Sequence, residues 1–121
     1  MNNVILVGRL TKNPEVFEVG DKQLTNIILA VNRNFKNSEG IYETDFIRCI
    51  LWNNIAANTT EYCQVGDVVG IKGRLQTSKY VDEEEKTHYV TDVIAERVTF
   101  ISTVKKHVVG YENKGNNKKG D

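Results

Sequence analysis

The chain has 121 residues, of which 40% are hydrophobic and 26% are charged. This length fits one domain with a tail, and no run approaches the roughly 18 apolar residues that a membrane-spanning helix needs. Sixteen basic residues balance sixteen acidic ones, which excludes a protein held on nucleic acid by its overall charge. Any electrostatic site must therefore be a local patch.

The targeting and cysteine patterns predict a cytoplasmic protein. Residues 1 to 7 lack the pattern of an export signal and that of an arginine-rich transit peptide. Cys49 and Cys63 do not have the spacing of a zinc or redox motif, so both are predicted to be buried thiols. His88 and His107 have no acidic or cysteine partner at ligand spacing and are predicted to lie on the surface. No metal or other cofactor is predicted.

Five segments rich in valine, isoleucine, leucine and aromatic residues are predicted to be strands. In chain order they are Val4 to Leu10, Leu24 to Asn32, Phe46 to Trp52, Val68 to Leu75 and Tyr89 to Ile101. Between the third and the fourth, Asn53 to Tyr62 has the spacing of a short helix, and Gly66 follows as a left-handed stop. This order predicts an all-β fold with one short helix: an OB-fold, which is a five-stranded Greek-key barrel.

The connections and the chain end complete the predicted organisation. Residues 33 to 45 and 77 to 88 are predicted to form long hairpins, which turn near 37 to 40 and near the acidic residues 82 to 85. Glycines inside strands indicate bulges or close backbone approach, and these are Gly8, Gly70 and Gly73. Residues 1 to 104 are the predicted domain; residues 105 to 121, with five lysines against two acidic residues, are a predicted disordered basic tail.

Side chains alternate across a strand, which divides the third predicted strand into two faces. Ile47, Cys49 and Leu51 form its predicted core face. The outer face has two aromatic rings with a guanidinium between them, which suits single-stranded nucleic acid because rings stack on bases and a cation meets phosphate. This outer face consists of Phe46, Arg48, Ile50 and Trp52. Ile50 is expected to lie under the nucleic acid or against a neighbouring element.

Aromatic and basic side chains also alternate in the two hairpins, provided that no bulge breaks the register. Lys72, Arg74, Gln76, Ser78 and Tyr80 share one side of the fourth strand, and Leu75 belongs to the other. Aromatic residues in strands are often core residues, so a core position for Trp52 stays open. Base stacking is predicted for Phe35, Phe46, Trp52 and Tyr80, and phosphate contact for Arg33, Lys36, Arg48, Lys72, Arg74 and Lys79.

Several spaced motifs resemble, in the same order, those of the bacterial-type single-stranded DNA-binding protein family over about residues 1 to 103. They are Asn3 to Leu10 followed by Asn13 to Glu15, Ala30 to Phe35, Thr44 to Arg48, and Gly73 to Thr77. The resemblance implies an OB-fold homotetramer that wraps single-stranded DNA without sequence preference. It also implies that the family's stacking positions fall on the same four rings that alternation selects.

The chain departs from the family pattern in two places. Phe35, Phe46 and Tyr80 offer smaller rings than the tryptophans common in the family, so weaker stacking is expected there. The sequence ends in residues 117 to 121, Asn-Lys-Lys-Gly-Asp, instead of an acidic peptide with an aromatic tip. Recruitment of replication proteins through such a tip is therefore not predicted for this chain. The chain resembles a short form of the family.

The predicted function is that of a non-enzymatic protein that coats and protects single-stranded DNA and removes its secondary structure in replication, recombination or repair. Two alternatives stay open because OB-folds serve several ligands: an RNA-binding module, and a protein-interaction subunit of a primosome. An enzyme is not predicted, since no carboxylate pair, Ser/His/Asp set, Cys/His set or metal cluster occurs at a usable spacing.

Overall fold

The computed structural model describes residues 1–102, which form six strands and one helix. The elements in chain order are β1 (Val4–Leu10), β2 (Phe17–Val19), β3 (Lys22–Lys36), β4 (Tyr42–Trp52), α1 (Asn53–Tyr62), β5 (Val68–Val81) and β6 (Thr87–Ser102). The predicted tail from residue 105 onward lies outside the described residues, as does His107. Within the described part of the chain, no helix is long and apolar enough to cross a membrane.

The five long strands close into a barrel. Their order is β1-β5-β6-β4-β3, and β1 also pairs with β3 through Arg9 opposite Ala30 and Leu10 opposite Leu29. The short β2 lies outside this ring as a hairpin strand on β3. The predicted OB-fold is therefore confirmed, with one correction: β2 was missed, so the helix follows the fourth strand of the chain and not the third.

The barrel interior is filled by the inward residues of alternating strands. The fully or nearly fully buried side chains include Leu10, Ile27, Leu29, Cys49, Leu51, Val69, Ile71 and Val93. Burying a side chain of this size typically contributes about 1.5–3 kcal/mol, so this set dominates the stability of the domain. Both cysteines are buried, as predicted. Burial, with a smaller effect of Asp92, raises the pKa of Cys49 to about 12, so its thiol stays protonated at neutral pH.

The helix α1 has the predicted bounds and covers one end of the barrel. Its buried residues, Ala56 and Thr59, pack towards the core. The chain leaves it at Cys63, whose backbone N–H donates to the Thr59 carbonyl at 3.0 Å. Gly66 has the predicted left-handed conformation, with φ 92°, and its N–H donates to the Leu10 carbonyl at 2.9 Å. This hydrogen bond therefore attaches the segment after the helix to the end of β1.

Two strand glycines are required by close backbone contacts. A Cβ atom at Gly8 would overlap the Ala30 carbonyl oxygen, and one at Gly73 would overlap the Ile94 carbonyl oxygen. Gly73 also lies where the register of β5 against β6 shifts. The predicted close approach is thus confirmed at Gly8 and Gly73, whereas a Cβ at Gly70 would meet Ile101 only at an ordinary 3.4 Å.

The two predicted hairpins are present as two-stranded arms, and the register of the β3–β4 arm shifts between Asn32 and Lys36. The β3–β4 arm turns at residues 37–40 and the β5–β6 arm at residues 82–85. Each turn is closed by a side-chain oxygen: Asn37 accepts from the Glu39 N–H, and Asp82 accepts from the Glu84 N–H. The strands therefore extend well beyond the barrel, and their side chains there are exposed.

The substitution Gly73→Ala is expected to lower the free energy of unfolding by about 1–3 kcal/mol, because its methyl group would force β5 away from the Ile94 carbonyl. Gly70→Ala, three residues earlier on the same strand, is the matched control and should change stability much less. Urea unfolding followed by circular dichroism measures both. Equal losses in the two variants would contradict this account of Gly73.

Candidate nucleic-acid interface

The outer face of β4 has the predicted alternation. Phe46 is 67% exposed on this face, whereas Cys49 and Leu51 are fully buried on the other. Arg48 is also exposed, and Trp52 is partly buried. The parity predicted from the sequence is therefore confirmed along β4, and it presents Phe46 and Arg48 to solvent.

Ile50 and Trp52 lie on this outer face against neighbouring strands. Ile50 is opposite Asn26 of β3 and level with Ile94 of β6, so it packs in the middle of the sheet. Trp52 follows the fully buried Leu51, so alternation places its side chain on the outer face, opposite Leu24 of β3. A barrel-core position for Trp52 is thus wrong, and the sheet neighbours account for the partial burial of Ile50.

Arg48 has a structural partner as well as an exposed surface. Its Nε lies 3.4 Å from an Asp92 carboxylate oxygen, and the Asp92 side chain is only 10% exposed. A buried carboxylate without a cation nearby is costly, so this pair compensates part of that cost. About half of the Arg48 side chain, 49%, remains exposed and can meet a ligand. The sequence did not reveal Asp92, because the partner lies on β6, more than forty residues away.

The β3–β4 arm presents one exposed ring beside a cation that is already paired. Phe35 is 67% exposed. Arg33 lies 2.8 Å from Asp45 and 3.0 Å from Glu43, so its charge is matched by two carboxylates. The hydrogen bond from Arg33 lowers the pKa of Asp45. Lys36, in contrast, lies 5.6 Å above the ring of Tyr42, a cation–π contact that leaves its charge uncompensated by acid.

The β5–β6 arm holds Tyr80 in a fixed stack. Its ring lies 5.0 Å from the ring of His88 at an angle of 18°, and His88 Nε2 lies 2.6 Å from Asp82 Oδ2. The hydrogen bond from His88, followed by that of the Lys86 backbone N–H, lowers the pKa of Asp82. His88 is exposed as predicted, and its pairing with Asp82 is a contact that the sequence did not reveal. One face of Tyr80 is covered, and the other is the face available for stacking.

The basic residues of β5 share one carboxylate of β6. Lys72 Nζ and Arg74 Nε each lie 3.7 Å from Glu96. Glu96 is the extra residue of a bulge, because Lys72 is opposite Arg97 while Gly73 is opposite Ala95. The bulge is on β6, so β5 keeps its parity. Leu75 was predicted on the core side but is 47% exposed, because the arm has already left the barrel there.

The predicted phosphate contacts therefore fall into two groups. Arg33, Arg48, Lys72 and Arg74 each pair with a carboxylate, whereas Lys36 and Lys79 form no ion pair within residues 1–102. The pairs of Arg33, Lys72 and Arg74 are exposed on both sides and typically worth at most about 1 kcal/mol, so a phosphate can replace their carboxylates. Breaking the pair of Arg48 with the largely buried Asp92 costs more. Within the same residues, no group of three potential ligands is placed to hold a metal ion.

A closed OB-fold barrel with exposed rings and basic side chains on one sheet face and on two arms is a nucleic-acid-binding module of the kind that holds single strands. The sequence model described as "Single-strand binding protein family" matches residues 1–101. The chain belongs to this family.

Relatives with curated names agree with the family match. The chain is 46% identical over 101 residues to "Single-stranded DNA-binding protein B" of Bacillus subtilis, which covers 83% of this chain and 89% of that protein. It is 40% identical over 122 residues to "Single-stranded DNA-binding protein 2" of Listeria monocytogenes, covering 96% of this chain and 76% of the relative. The similarity to the Bacillus protein extends over most of both chains.

The substitution Glu96→Gln is expected to strengthen the binding of oligo(dT) and to steepen the dependence of log affinity on log salt, by about 0.7 for each additional phosphate that the protein neutralises. The reason is that Lys72 and Arg74 lose their shared carboxylate. Fluorescence anisotropy of a labelled oligonucleotide at several salt concentrations measures this. Glu61→Gln on α1 makes the same change of net charge away from the rings, and an identical effect there would contradict the local interpretation.

Proposed function

We propose that this chain binds single-stranded DNA without sequence preference. The observation that carries the proposal is the pair of rings Phe35 and Phe46, each 67% exposed, on one β-hairpin with basic side chains beside them. Exposed apolar side chains that are grouped on one surface mark binding sites, and every base has a face that can stack on a ring. The names of the two relatives agree with this ligand.

Stacking provides most of the contact in the proposed mechanism. Bases stack on Phe35, Phe46 and Trp52 along the sheet, and on the free face of Tyr80 at the second arm. Each stack is typically worth about 1–3 kcal/mol. A base held in this way cannot pair with another base, so the protein removes hairpins and shields the strand. This is a non-catalytic role that serves replication, recombination or repair.

In the proposed mechanism, two groups of cations bind phosphate at different costs in free energy. Lys36 and Lys79 are available at once, since no carboxylate occupies them within the described chain. Arg33, Arg48, Lys72 and Arg74 must exchange a carboxylate for a phosphate. The buried thiols Cys49 and Cys63 fit a reducing cytoplasm as the place of action.

Addition of poly(dT) is expected to reduce the fluorescence of Trp52, the single tryptophan of the chain, because a base would lie on its indole. Trp52→Phe should keep most of the affinity, since a ring remains, whereas Trp52→Ala should lose about 1–3 kcal/mol of binding free energy. Emission titrations and anisotropy measure the two effects, and competition by oligo(U) tests the preference for DNA. Unchanged emission on adding saturating poly(dT) would contradict base stacking at Trp52.

We also propose that the chain assembles as a homotetramer. Two of the three outward side chains of β1 are apolar and uncovered: Ile5 is 75% exposed and Val7 is 53% exposed, and the third is Arg9. Ile101, 53% exposed, lies beside Gly70 on the neighbouring strands and extends this surface. Apolar residues gathered on one face mark interaction surfaces. Val7 lines a groove together with Phe46, so this face borders one ring of the β3–β4 hairpin.

The substitution Ile5→Glu is expected to dissociate the assembly, because it would bury a carboxylate in an apolar contact. Light scattering coupled to gel filtration should then give about one quarter of the wild-type mass. Val81→Glu is a suitable control, since Val81 is 64% exposed at the end of the β5–β6 arm, away from β1. A wild-type protein that elutes as a monomer would overturn the proposal.

A further inference from the structure

The strand that the sequence did not predict, β2, adds an exposed ring to the outer face. Phe17 is 54% exposed. It is directly opposite Leu24 of β3, and Leu24 is directly opposite Trp52 of β4. Directly opposed residues of antiparallel strands point to the same face. Phe17, Leu24 and Trp52 therefore form a row across three strands, and two strand spacings separate its ends by about 10 Å.

A groove lies next to this row. Its volume is about 470 Å³, and it is lined by Lys12, Asn13, Glu15, Phe17 and Asn26. Lys12 forms no ion pair with any described residue, whereas Glu15 contributes the one negative charge of the lining. The side-chain oxygen of Asn26 is buried and has no hydrogen-bond partner within residues 1–102. The groove thus combines a ring, amides and an unpaired cation.

The walls of the groove are held in place by hydrogen bonds to the barrel. Thr25 Oγ1 donates to the Glu15 carbonyl, and Thr25 itself is fully buried. Asn13 Oδ1 accepts from the Val65 backbone N–H at 2.7 Å. Thr11 Oγ1 donates to the Ile28 carbonyl at 2.8 Å. A ligand that enters this groove meets a preformed surface and loses little affinity to ordering it.

We propose that Phe17 is a further base-stacking position, and that a single DNA strand continues from Trp52 over Leu24 into this groove, with Lys12 meeting a phosphate. The continuity of the row with Trp52 and the unpaired charge of Lys12 favour a nucleic-acid strand over a protein partner, which would leave that charge unmatched beside an apolar contact. The inference rests on the proposed function, because it assigns one more contact to the same ligand.

The test compares substitutions at Phe17 in the full chain. Phe17→Leu keeps an apolar side chain but removes the ring, and it should weaken the binding of a long oligo(dT) by about fivefold or more. Phe17→Tyr keeps the ring and should bind within about twofold of wild type. Val19→Ala is the matched control, since Val19 is 47% exposed on the same strand and face. Wild-type affinity in Phe17→Leu would overturn the proposal.

Two readouts separate this inference from the proposed function. Quenching of Trp52 by oligo(dT) should persist in Phe17→Leu. Absence of any binding of oligo(dT) by the wild-type protein in the anisotropy titration would overturn the proposed function itself. Photocrosslinking of the wild-type protein to an oligonucleotide containing 5-iodouracil should modify Phe17, as identified by mass spectrometry of peptides. Crosslinks confined to the β4 face and the two arms, with none at Phe17, would overturn the further inference alone.

Discussion

Closure of the barrel by β1 is the constraint on which the rest of the structure depends. This strand pairs with β5 along its whole length and with β3 at its end, so every barrel strand has two neighbours. Closure brings backbones together at Gly8 and Gly73, where no Cβ would fit. Once the barrel is closed, the inward face of each strand is fixed as core. The outward face of β4 is then fixed as well, and Phe46 and Arg48 must point to solvent.

The charge pattern of the outer face moderates its attraction for nucleic acid. Four of the six predicted phosphate-binding side chains already have carboxylate partners, and Asp92 couples one of them to the interior. The surface is therefore close to neutral without ligand, in keeping with a chain whose sixteen basic and sixteen acidic residues cancel. Binding by such a surface depends more on stacking than on net charge. Exchange of carboxylates for phosphates also releases fewer counterions than the number of cations suggests.

Much of the fold and of the candidate site was predictable, for identifiable reasons. The helix bounds and the two faces of β4 followed from local periodicity, which depends only on neighbours in the chain. The ion pair of Arg48 with Asp92 and the stack of Tyr80 on His88 did not, since each joins residues of different strands. The strand β2 was missed because its three residues are all exposed and show no alternation of burial. Phe17 was missed with it.

The sequence by itself determined the barrel, its core and the rings that point outward, because two-residue alternation and glycine positions are local properties of the chain. It also determined the family, through motifs in a fixed order. Only the tertiary structure decided which cations are free and which are paired, since that depends on the register between strands. The same register placed Phe17 in line with Trp52, through Leu24, a neighbour to both across the sheet.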